Sequence, residues 1–236
     1  MFSRKLQSSM GDTAEVINIA QGGMNTEQEI HLLKLYGIQL QPDIVILNFV
    51  LNDFDSGSTL KAKKERTLAG ENQKETKANT IGLLGGISVD PEFKRLLKRS
   101  ALIYFVKERL ENVKGLLTGD VVLTQDYFTR TWNSSNNRKQ VANSIKEFAV
   151  LSKENNFKAY IIIWPILNYF DNYRYKDIHA WVANEAKENN VIVIDLLEYY
   201  SKYSFRKLQV TSEDNVHPNR KGHELAVDAF LNDYMK

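Results

Sequence analysis

Apolar and polar positions along the chain repeat with two periods. Short, nearly continuous apolar runs predict four buried strands, at residues 15–20, 44–51, 158–164 and 191–195. The stretches between and around them have apolar residues at helical spacing, which predicts helices at residues 2–10, 25–35, 138–155, 175–189, a short one from 196, and a last one after 219. Strands that alternate with helices at this spacing indicate right-handed βαβ units and a parallel sheet covered on both faces.

The alternation is interrupted in the middle of the chain. Residues 55–90 are rich in lysine, polar residues and glycine, which predicts a long loop, and residues 91–117 have the apolar spacing of a helix. A nucleic-acid-binding arm is an alternative for the basic part, but interleaved glutamates and the lack of aromatic residues favour a solvated loop. A second loop is predicted at residues 126–137. We expect one domain over residues 1–236, a flavodoxin-like three-layer α/β/α fold with a mostly parallel sheet, with a polar loop and a helix inserted at about 55–118.

Composition narrows the classes of function. The 236 residues include no cysteine, which excludes disulfides and thiolate chemistry. The formal net charge is +2, so a strongly polyanionic partner such as nucleic acid is not expected. No apolar run reaches the roughly 20 residues that a membrane-spanning helix needs, and the first residues lack the apolar core of a signal peptide. We expect a soluble protein without a transmembrane segment, whose cellular location and oligomeric state stay open.

The stretch that ends in Pro218 and Asn219 carries the clearest chemistry. An acid and an imidazole, Asp214 and His217, stand three residues apart before an apolar-periodic run that predicts the last helix. Such a carboxylate can fix the imidazole tautomer and stabilise the imidazolium while the ring moves a proton, which suits a general base and its orienting group. A turn with an aspartate cap and a solvent-facing histidine is an equally good interpretation of these residues alone. A metal site is less favoured, because no further His or Cys cluster completes it.

Two other polar positions follow predicted strands. Gly22 and Gly23 come after residues 15–20, and Asn52 comes after residues 44–51. The carboxyl ends of parallel strands meet at one edge of the sheet, where a glycine N–H and an asparagine amide aimed at one point can form an oxyanion hole. A plain turn at the glycines and a strand-end or helix cap at the asparagine are the alternatives. Their coincidence with the acid–histidine loop at one edge favours a catalytic site.

Three stretches resemble conserved blocks of the SGNH (GDSL-type) hydrolases. They are residues 16–26, VINIAQGGMNT, residues 42–53, PDIVILNFVLND, and residues 214–219, DNVHPN. Their order matches that of the family, and the spacing fits if the middle of the chain is an insertion. The resemblance implies an α/β ester hydrolase that needs no metal or organic cofactor. It also implies a small-molecule ester, an acylated carbohydrate or a lipid as the substrate.

The resemblance implies roles for four residues. In that family the glycine and asparagine blocks supply oxyanion-hole donors, which would be the backbone N–H of Gly23 and the side chain of Asn52 here. The last block supplies the acid and the base, which would be Asp214 and His217. Val50 replaces a glycine that the family often has at this position, which alters the local backbone but leaves the asparagine donor in place.

The nucleophilic serine of that family has no clear counterpart in the sequence. The family carries it in a Gly-Asp-Ser block at the end of a first strand, upstream of a helix such as residues 2–10. Ser8 and Ser9 are the nearest candidates, but they lie in or just after this helix, and Gly11 and Asp12 follow them instead of preceding them. We therefore expect an N-terminally truncated sequence in which the first strand is missing and the nucleophile lies upstream of Met1.

The leading hypothesis is a serine esterase or acylhydrolase that acts on an O-acyl ester in a lipid, an acetylated sugar or a small molecule. The alternatives are a non-catalytic binding module of the same family, an O-acyltransferase and, more distantly, a regulatory domain of flavodoxin type. His31 and His179 lie within predicted helices and are expected at the surface or at a boundary. His223 is expected to be structural, and Trp164, at a strand end, either lines a pocket or packs in the core.

Overall fold

Residues 2–55 and 127–234 are described by the computed structural model. The predicted insertion at residues 55–118 therefore falls, apart from its first residue, outside the described residues. The described helices are α1 (Phe2–Met10), α2 (Thr26–Leu32), α3 (Tyr127–Asn133), α4 (Ser135–Asn155), α5 (Lys176–Glu188), α6 (Leu197–Tyr200) and α7 (Arg220–Tyr234). The described strands are β1 (Ile44–Val50), β2 (Lys158–Trp164) and β3 (Ile192–Asp195). These bounds confirm the predicted elements of the described ranges except at residues 15–20 and 126–137.

The three described strands form one parallel sheet in the order β1-β2-β3. The pairing ends with Val50 opposite Trp164 in the first pair and with Ile163 opposite Asp195 in the second. Because β2 is the middle strand of the three, its side chains are buried from Ala159 to Trp164. Burial on both faces explains why this strand is a continuous apolar run instead of an alternating one.

Alternate side chains of β2 and its neighbours face opposite layers of helices. On one face, the Tyr160 ring lies 5.2 Å from that of Phe230 in α7, and the Trp164 ring lies 5.9 Å from that of Phe2 in α1. The indole N–H of Trp164 donates to the Asn48 side chain of β1 at 2.9 Å, so Asn48 shares this face. Trp164 therefore packs in the core, which was one of its two predicted roles.

The opposite face of the sheet is covered by α2, α4 and α5. Phe49, which follows Asn48 and therefore points to the other side of the sheet, has its ring 5.4 Å from that of Phe54. Phe54 in turn lies 5.2 Å from Trp132 of α3 and 5.8 Å from Trp181 of α5. Helices on both faces of a parallel sheet confirm the predicted α/β architecture of three layers.

Residues 15–20 do not form the predicted strand. The backbone is extended from Ala14 (φ −152°, ψ 149°), but the segment pairs with none of the described strands, and Ile17 is exposed. An apolar run becomes a strand only when a neighbour takes its backbone hydrogen bonds, and among the described residues β1 pairs with β2 alone. The backbone N–H of Val16 instead donates to the side chain of Gln7 in α1 at 2.7 Å.

The loop predicted at residues 126–137 is wrong for the described part of that stretch, because α3 occupies most of it. Phe128 and Trp132 stand four residues apart on one side of the helix. Their rings lie 5.7 Å from Tyr175 and 5.2 Å from Trp181, respectively. Aromatic and β-branched residues have modest helix propensity, and packing of an apolar side against the core outweighs that preference here.

Candidate active site

The loop between α6 and α7 holds Asp214 and His217 in direct contact. The ring Nδ1 of His217 lies 2.9 Å from Oδ2 and 3.1 Å from Oδ1 of Asp214. Oδ1 also accepts hydrogen bonds from the backbone N–H groups of Val216, at 3.0 Å, and of His217, at 2.9 Å. Because a carboxylate only accepts, the neutral ring carries its proton on Nδ1 and its lone pair on Nε2. The His217 side chain is 76% exposed, so a substrate can reach it.

The same contacts keep Asp214 ionised. The hydrogen bond from the backbone N–H of His217 is the largest cause that lowers the pKa of Asp214, and the N–H of Val216 and the His217 ring add to it. A lowered pKa in the folded protein means that these interactions are fully present above the ordinary pKa of an aspartate and are lost only as the pH falls through the lowered value. The carboxylate is therefore charged at neutral and mildly acidic pH.

Asn219 ties the two ends of the acid–histidine loop together. Its Nδ2 donates to the backbone carbonyls of Lys207, at 2.9 Å, and Gln209, at 3.0 Å. Its Oδ1 accepts from the backbone N–H groups of Lys221, at 2.9 Å, and Gly222, at 3.2 Å, in the first turn of α7. The asparagine thus caps α7 and fixes the loop relative to that helix.

The loop is also tied to the carboxyl edge of the sheet. Leu167, three residues beyond the end of β2, donates its backbone N–H to the carbonyl of Asn215 at 2.7 Å. The side-chain amide of Gln209 donates to the carbonyl of Leu167 at 3.2 Å. These bonds hold the loop at the carboxyl edge, as predicted from the sequence. In an open parallel sheet this is the edge where ligands bind.

Asn52 lies at the same edge, and the turn that contains Gly23 is joined to the segment after β1. Asn52 is exposed in a single-turn 3₁₀ helix, Leu51–Phe54, directly after β1. Gly23 is exposed in the turn before α2 and has a φ of 83°, a backbone conformation in which a side chain is strained. Asn25, the cap of α2, donates its side-chain amide to the carbonyl of Asp55 at 2.8 Å, which joins this turn to the segment after β1. Of the four predicted site residues, the acid and the histidine are in direct contact.

Two carboxyl groups lie in low-dielectric surroundings near Asn52. Asp53 is 6% exposed, and its Oδ2 accepts the backbone N–H of Val50 at 2.9 Å. Burial raises the pKa of Asp53 well above its usual range, the Glu29 carboxylate raises it further, and the hydrogen bond from Val50 opposes both. Burial also raises the pKa of Glu29 to about 7, and its Oε2 has no hydrogen-bond partner among the described residues. Both side chains therefore favour the neutral form.

Replacing Glu29 with glutamine is expected to stabilise the protein above neutral pH. A carboxyl whose pKa rises from 4.5 to about 7 on folding contributes stability below pH 4.5 that is lost as the pH rises through 7. Because the side chain is half-buried, we expect a gain of about 1–2 kcal/mol in the free energy of unfolding at pH 8, and little gain at pH 5. Urea denaturation of the parent protein and the variant at both pH values measures this difference in the free energy of unfolding.

The matched control for this change is Glu27→Gln, because Glu27 is an exposed glutamate in the same first turn of α2. Both substitutions remove a negative charge from the helix N-terminus, so they share any dipole effect. A gain that is equal for both variants, or that does not grow between pH 5 and pH 8, would show that burial of Glu29 is not its cause.

Sequence reasoning missed a buried histidine on α5. His179 is 2% exposed, so the expectation of a surface or boundary position is wrong. Its Nδ1 lies 2.9 and 3.0 Å from the two carboxylate oxygens of Asp195, and its Nε2 lies 3.1 Å from the hydroxyl of Tyr173. One signal was present in the sequence, since Asp195 ends a predicted strand at the edge where polar site residues collect.

His223 is half-buried with its ring 5.5 Å from that of Trp164, in keeping with the structural role expected of it.

Two further kinds of site were sought in residues 2–55 and 127–234. No group of three or more His, Cys, Asp or Glu side chains there is arranged to hold a metal ion. None of the helices in these ranges is long and apolar enough to cross a membrane.

A comparison with known families places the sequence. The model of the GDSL-like lipase/acylhydrolase family matches residues 1–225 of the 236. The match includes the glycine turn, the segment after β1 and the acid–histidine loop, which carry the resemblance predicted from the sequence. Comparison with curated proteins and with solved structures gives no match. Because the family match spans nearly the whole sequence, the chain belongs to the GDSL-like lipase/acylhydrolase family.

Proposed function

We propose that this protein hydrolyses an O-acyl ester by a serine-type mechanism in which His217 is the general base. Membership of a lipase and acylhydrolase family supports hydrolase chemistry in general. The observation that carries the finer proposal is the 2.9 Å contact between His217 Nδ1 and the Asp214 carboxylate. This contact orients the ring, stabilises the imidazolium and leaves Nε2 to take a proton.

In the first half of the proposed reaction, His217 removes the proton from a serine hydroxyl as its oxygen attacks the ester carbonyl carbon. The electrons of the carbonyl π bond move to oxygen and form a tetrahedral intermediate. When this intermediate collapses, the bond to the alcohol breaks, and Nε2 returns the proton to the leaving oxygen. Water then attacks the acyl-serine by the same route and releases the acid. An alcohol in the place of water would make the reaction an acyl transfer.

The backbone N–H of Gly23 and the side-chain amide of Asn52 are proposed to bind the oxyanion of the intermediate. Both positions are exposed, Asn52 follows β1 directly, and the bond between Asn25 and Asp55 joins the turn of Gly23 to the segment after Asn52. Donors that are fixed before the reaction stabilise the charge as it develops, without reorganisation. The positive φ of Gly23 suits a backbone N–H that is turned toward a ligand.

The nucleophile is proposed to be a serine upstream of Met1, as the resemblance to the family implies. Ser8 and Ser9 are exposed on α1, and neither makes a hydrogen bond to His217. Active-site labelling with a serine-directed phosphonate, followed by peptide mass spectrometry of the full-length protein, identifies the residue. A label on Ser8 or Ser9 would refute this part of the proposal.

Replacing Asn52 with alanine in the full-length protein is expected to lower kcat by about 10²- to 10³-fold, because one oxyanion donor is lost. The KM for the ester should change little, since the donor acts mainly in the transition state. Steady-state kinetics on a p-nitrophenyl ester measure both. Asn136→Ala is the matched control, because Asn136 is an exposed asparagine of α4. Equal activity in the two variants would exclude Asn52 as an oxyanion donor.

The class of ester is tested by substrate comparison. Hydrolysis rates on p-nitrophenyl acetate, on a long-chain p-nitrophenyl ester and on an acetylated sugar separate small-ester, lipid and carbohydrate specificities. A non-catalytic binding module would bind one of these molecules without turnover and would leave a serine-directed phosphonate unreacted.

A further inference from the structure

A second acid–histidine pair lies inside the fold, apart from the exposed one. His179 of α5 contacts the carboxylate of Asp195, the last residue of β3, at 2.9 and 3.0 Å. On its other side it contacts the hydroxyl of Tyr173 at 3.1 Å. Tyr173 is 4% exposed and His179 is 2% exposed, so both are shielded from water.

The hydrogen bonds of this cluster run in one direction. The carboxylate of Asp195 only accepts, so the neutral ring of His179 donates from Nδ1 and accepts at Nε2 from the Tyr173 hydroxyl. The Tyr173 oxygen accepts the backbone N–H of Ile166 at 2.9 Å. Asp195 Oδ1 also accepts the backbone N–H of Leu197 at 2.9 Å. Burial raises the pKa of Tyr173, and the nearby Asp195 carboxylate adds to that rise, so its hydroxyl stays protonated and remains a donor.

The cluster ends on the segment that supports the acid–histidine loop. Ile166, whose N–H the Tyr173 hydroxyl accepts, precedes Leu167 in the segment after β2. Leu167 donates to the carbonyl of Asn215, which lies between the catalytic acid and base, at 2.7 Å. Hydrogen bonds therefore link Asp195 to Ile166 through the side chains of His179 and Tyr173. The Ile166–Leu167 peptide then continues the path to Asn215 in the loop.

We propose that the Asp195–His179–Tyr173 cluster is a positioning network that holds the segment after β2 and, through Asn215, sets the orientation of His217. This inference rests on the proposed function of His217 as the general base. None of the three side chains touches the acid–histidine pair directly, so they are positioning residues.

Stability alone is a weak reason for such a cluster. Buried polar networks rarely stabilise a fold more than well-packed apolar side chains of the same volume, because each group must first lose its contacts with water. A network whose donors and acceptors are all satisfied does restrict its members to one arrangement. That property matters where a base must be held in a productive geometry, since small displacements of reacting groups lower rates strongly.

Replacing Tyr173 with phenylalanine removes the hydroxyl at the junction and keeps the ring. We expect kcat for ester hydrolysis by the full-length protein to fall about 10- to 100-fold while KM changes less than about twofold, because the base is misplaced but substrate binding is retained. Backbone amide exchange at Leu167 and His217, measured by NMR in the same protein, should become about tenfold faster.

Tyr160→Phe is the matched control, because Tyr160 is a buried tyrosine at the opposite end of β2. It should leave kcat and both exchange rates unchanged. A second comparison uses Asp195→Asn, in which the amide oxygen accepts from Leu197 at the Oδ1 position and the NH₂ group faces Nδ1 of His179 in place of Oδ2, 3.0 Å away. A donor there opposes the Nδ1–H tautomer of His179, so Asp195→Asn should lower kcat and speed amide exchange at Leu167 and His217, as Tyr173→Phe does.

The proposal is overturned if Tyr173→Phe and Tyr160→Phe have the same kcat, or if kcat falls while exchange at Leu167 and His217 does not change. It is also overturned if Asp195→Asn keeps the parent kcat and the parent exchange rates. If the parent protein hydrolyses no ester, the proposed function fails, and the exchange rates alone decide the link. Faster exchange at both amides in Tyr173→Phe supports the link, and unchanged exchange refutes it.

Discussion

Replacing His217 with alanine is expected to lower kcat for ester hydrolysis by about 10³- to 10⁶-fold. The nucleophilic hydroxyl would lose the group that accepts its proton, and the leaving alcohol would lose its proton donor. The fold should be unaffected, because the ring is 76% exposed and its hydrogen bonds go to Asp214. Steady-state kinetics together with thermal unfolding measure both effects on the full-length protein.

The matched control for this variant is His31→Ala. His31 is an exposed histidine near the end of α2, and its removal should change neither kcat nor the melting temperature. Retention of more than about a tenth of the activity in His217→Ala, with normal folding, would rule out His217 as the general base.

Asp214→Asn is expected to lower kcat by up to about 10⁴-fold, although the asparagine side chain has nearly the same shape as that of aspartate. Oδ1 accepts the backbone N–H groups of Val216 and His217, so the amide oxygen of asparagine should take that position. Its NH₂ group would then face Nδ1 of His217, in place of the Oδ2 atom that lies 2.9 Å away. A donor there favours the tautomer with the proton on Nε2, which cannot act as the base.

The tautomer itself is measurable. The ¹⁵N chemical shifts of the His217 ring should show a proton on Nδ1 in the parent protein and on Nε2 in Asp214→Asn. Asp228→Asn, an exposed aspartate of α7, is the control for the change of charge and should have parent activity. An unchanged tautomer combined with a large loss of kcat would mean that Asp214 acts by another route.

Local features of the sequence were sufficient to predict the acid–histidine pair. Asp214 and His217 are three residues apart on one loop, so their contact depends on a turn that the carboxylate itself stabilises through two backbone N–H groups. The β2 strand was equally predictable, because a strand with neighbours on both sides must be apolar throughout.

The failed predictions depended on partners that are distant in the sequence. Residues 15–20 have the composition of a strand, but strand formation needs a paired neighbour, and the described sheet offers none to this segment. The helix at Tyr127–Asn133 is stabilised by contacts with Tyr175 and Trp181, far along the chain. The hydrogen bond to Asp195 allows the His179 ring to be buried. Because Asp195 is sixteen positions away, the local sequence around His179 predicted a surface or boundary position instead.

The arrangement of Asn52 and Gly23 was predicted only in part. The placement of Asn52 follows from the end of β1, because a residue just beyond a parallel strand must lie at the carboxyl edge of the sheet. The turn at Gly23 reaches this edge through the bond from Asn25 to Asp55, which joins residues thirty positions apart. No local pattern in the sequence indicates that bond.

The central claim is that His217 activates a serine for attack on an ester, and covalent labelling tests it most directly. The full-length protein is treated with a fluorophosphonate, and the modified residue is identified by mass spectrometry in the parent protein and in His217→Ala. We predict one modified serine in the parent protein and none in the variant. A folded parent protein that remains unmodified, or a variant that is modified at the same rate, would contradict the claim.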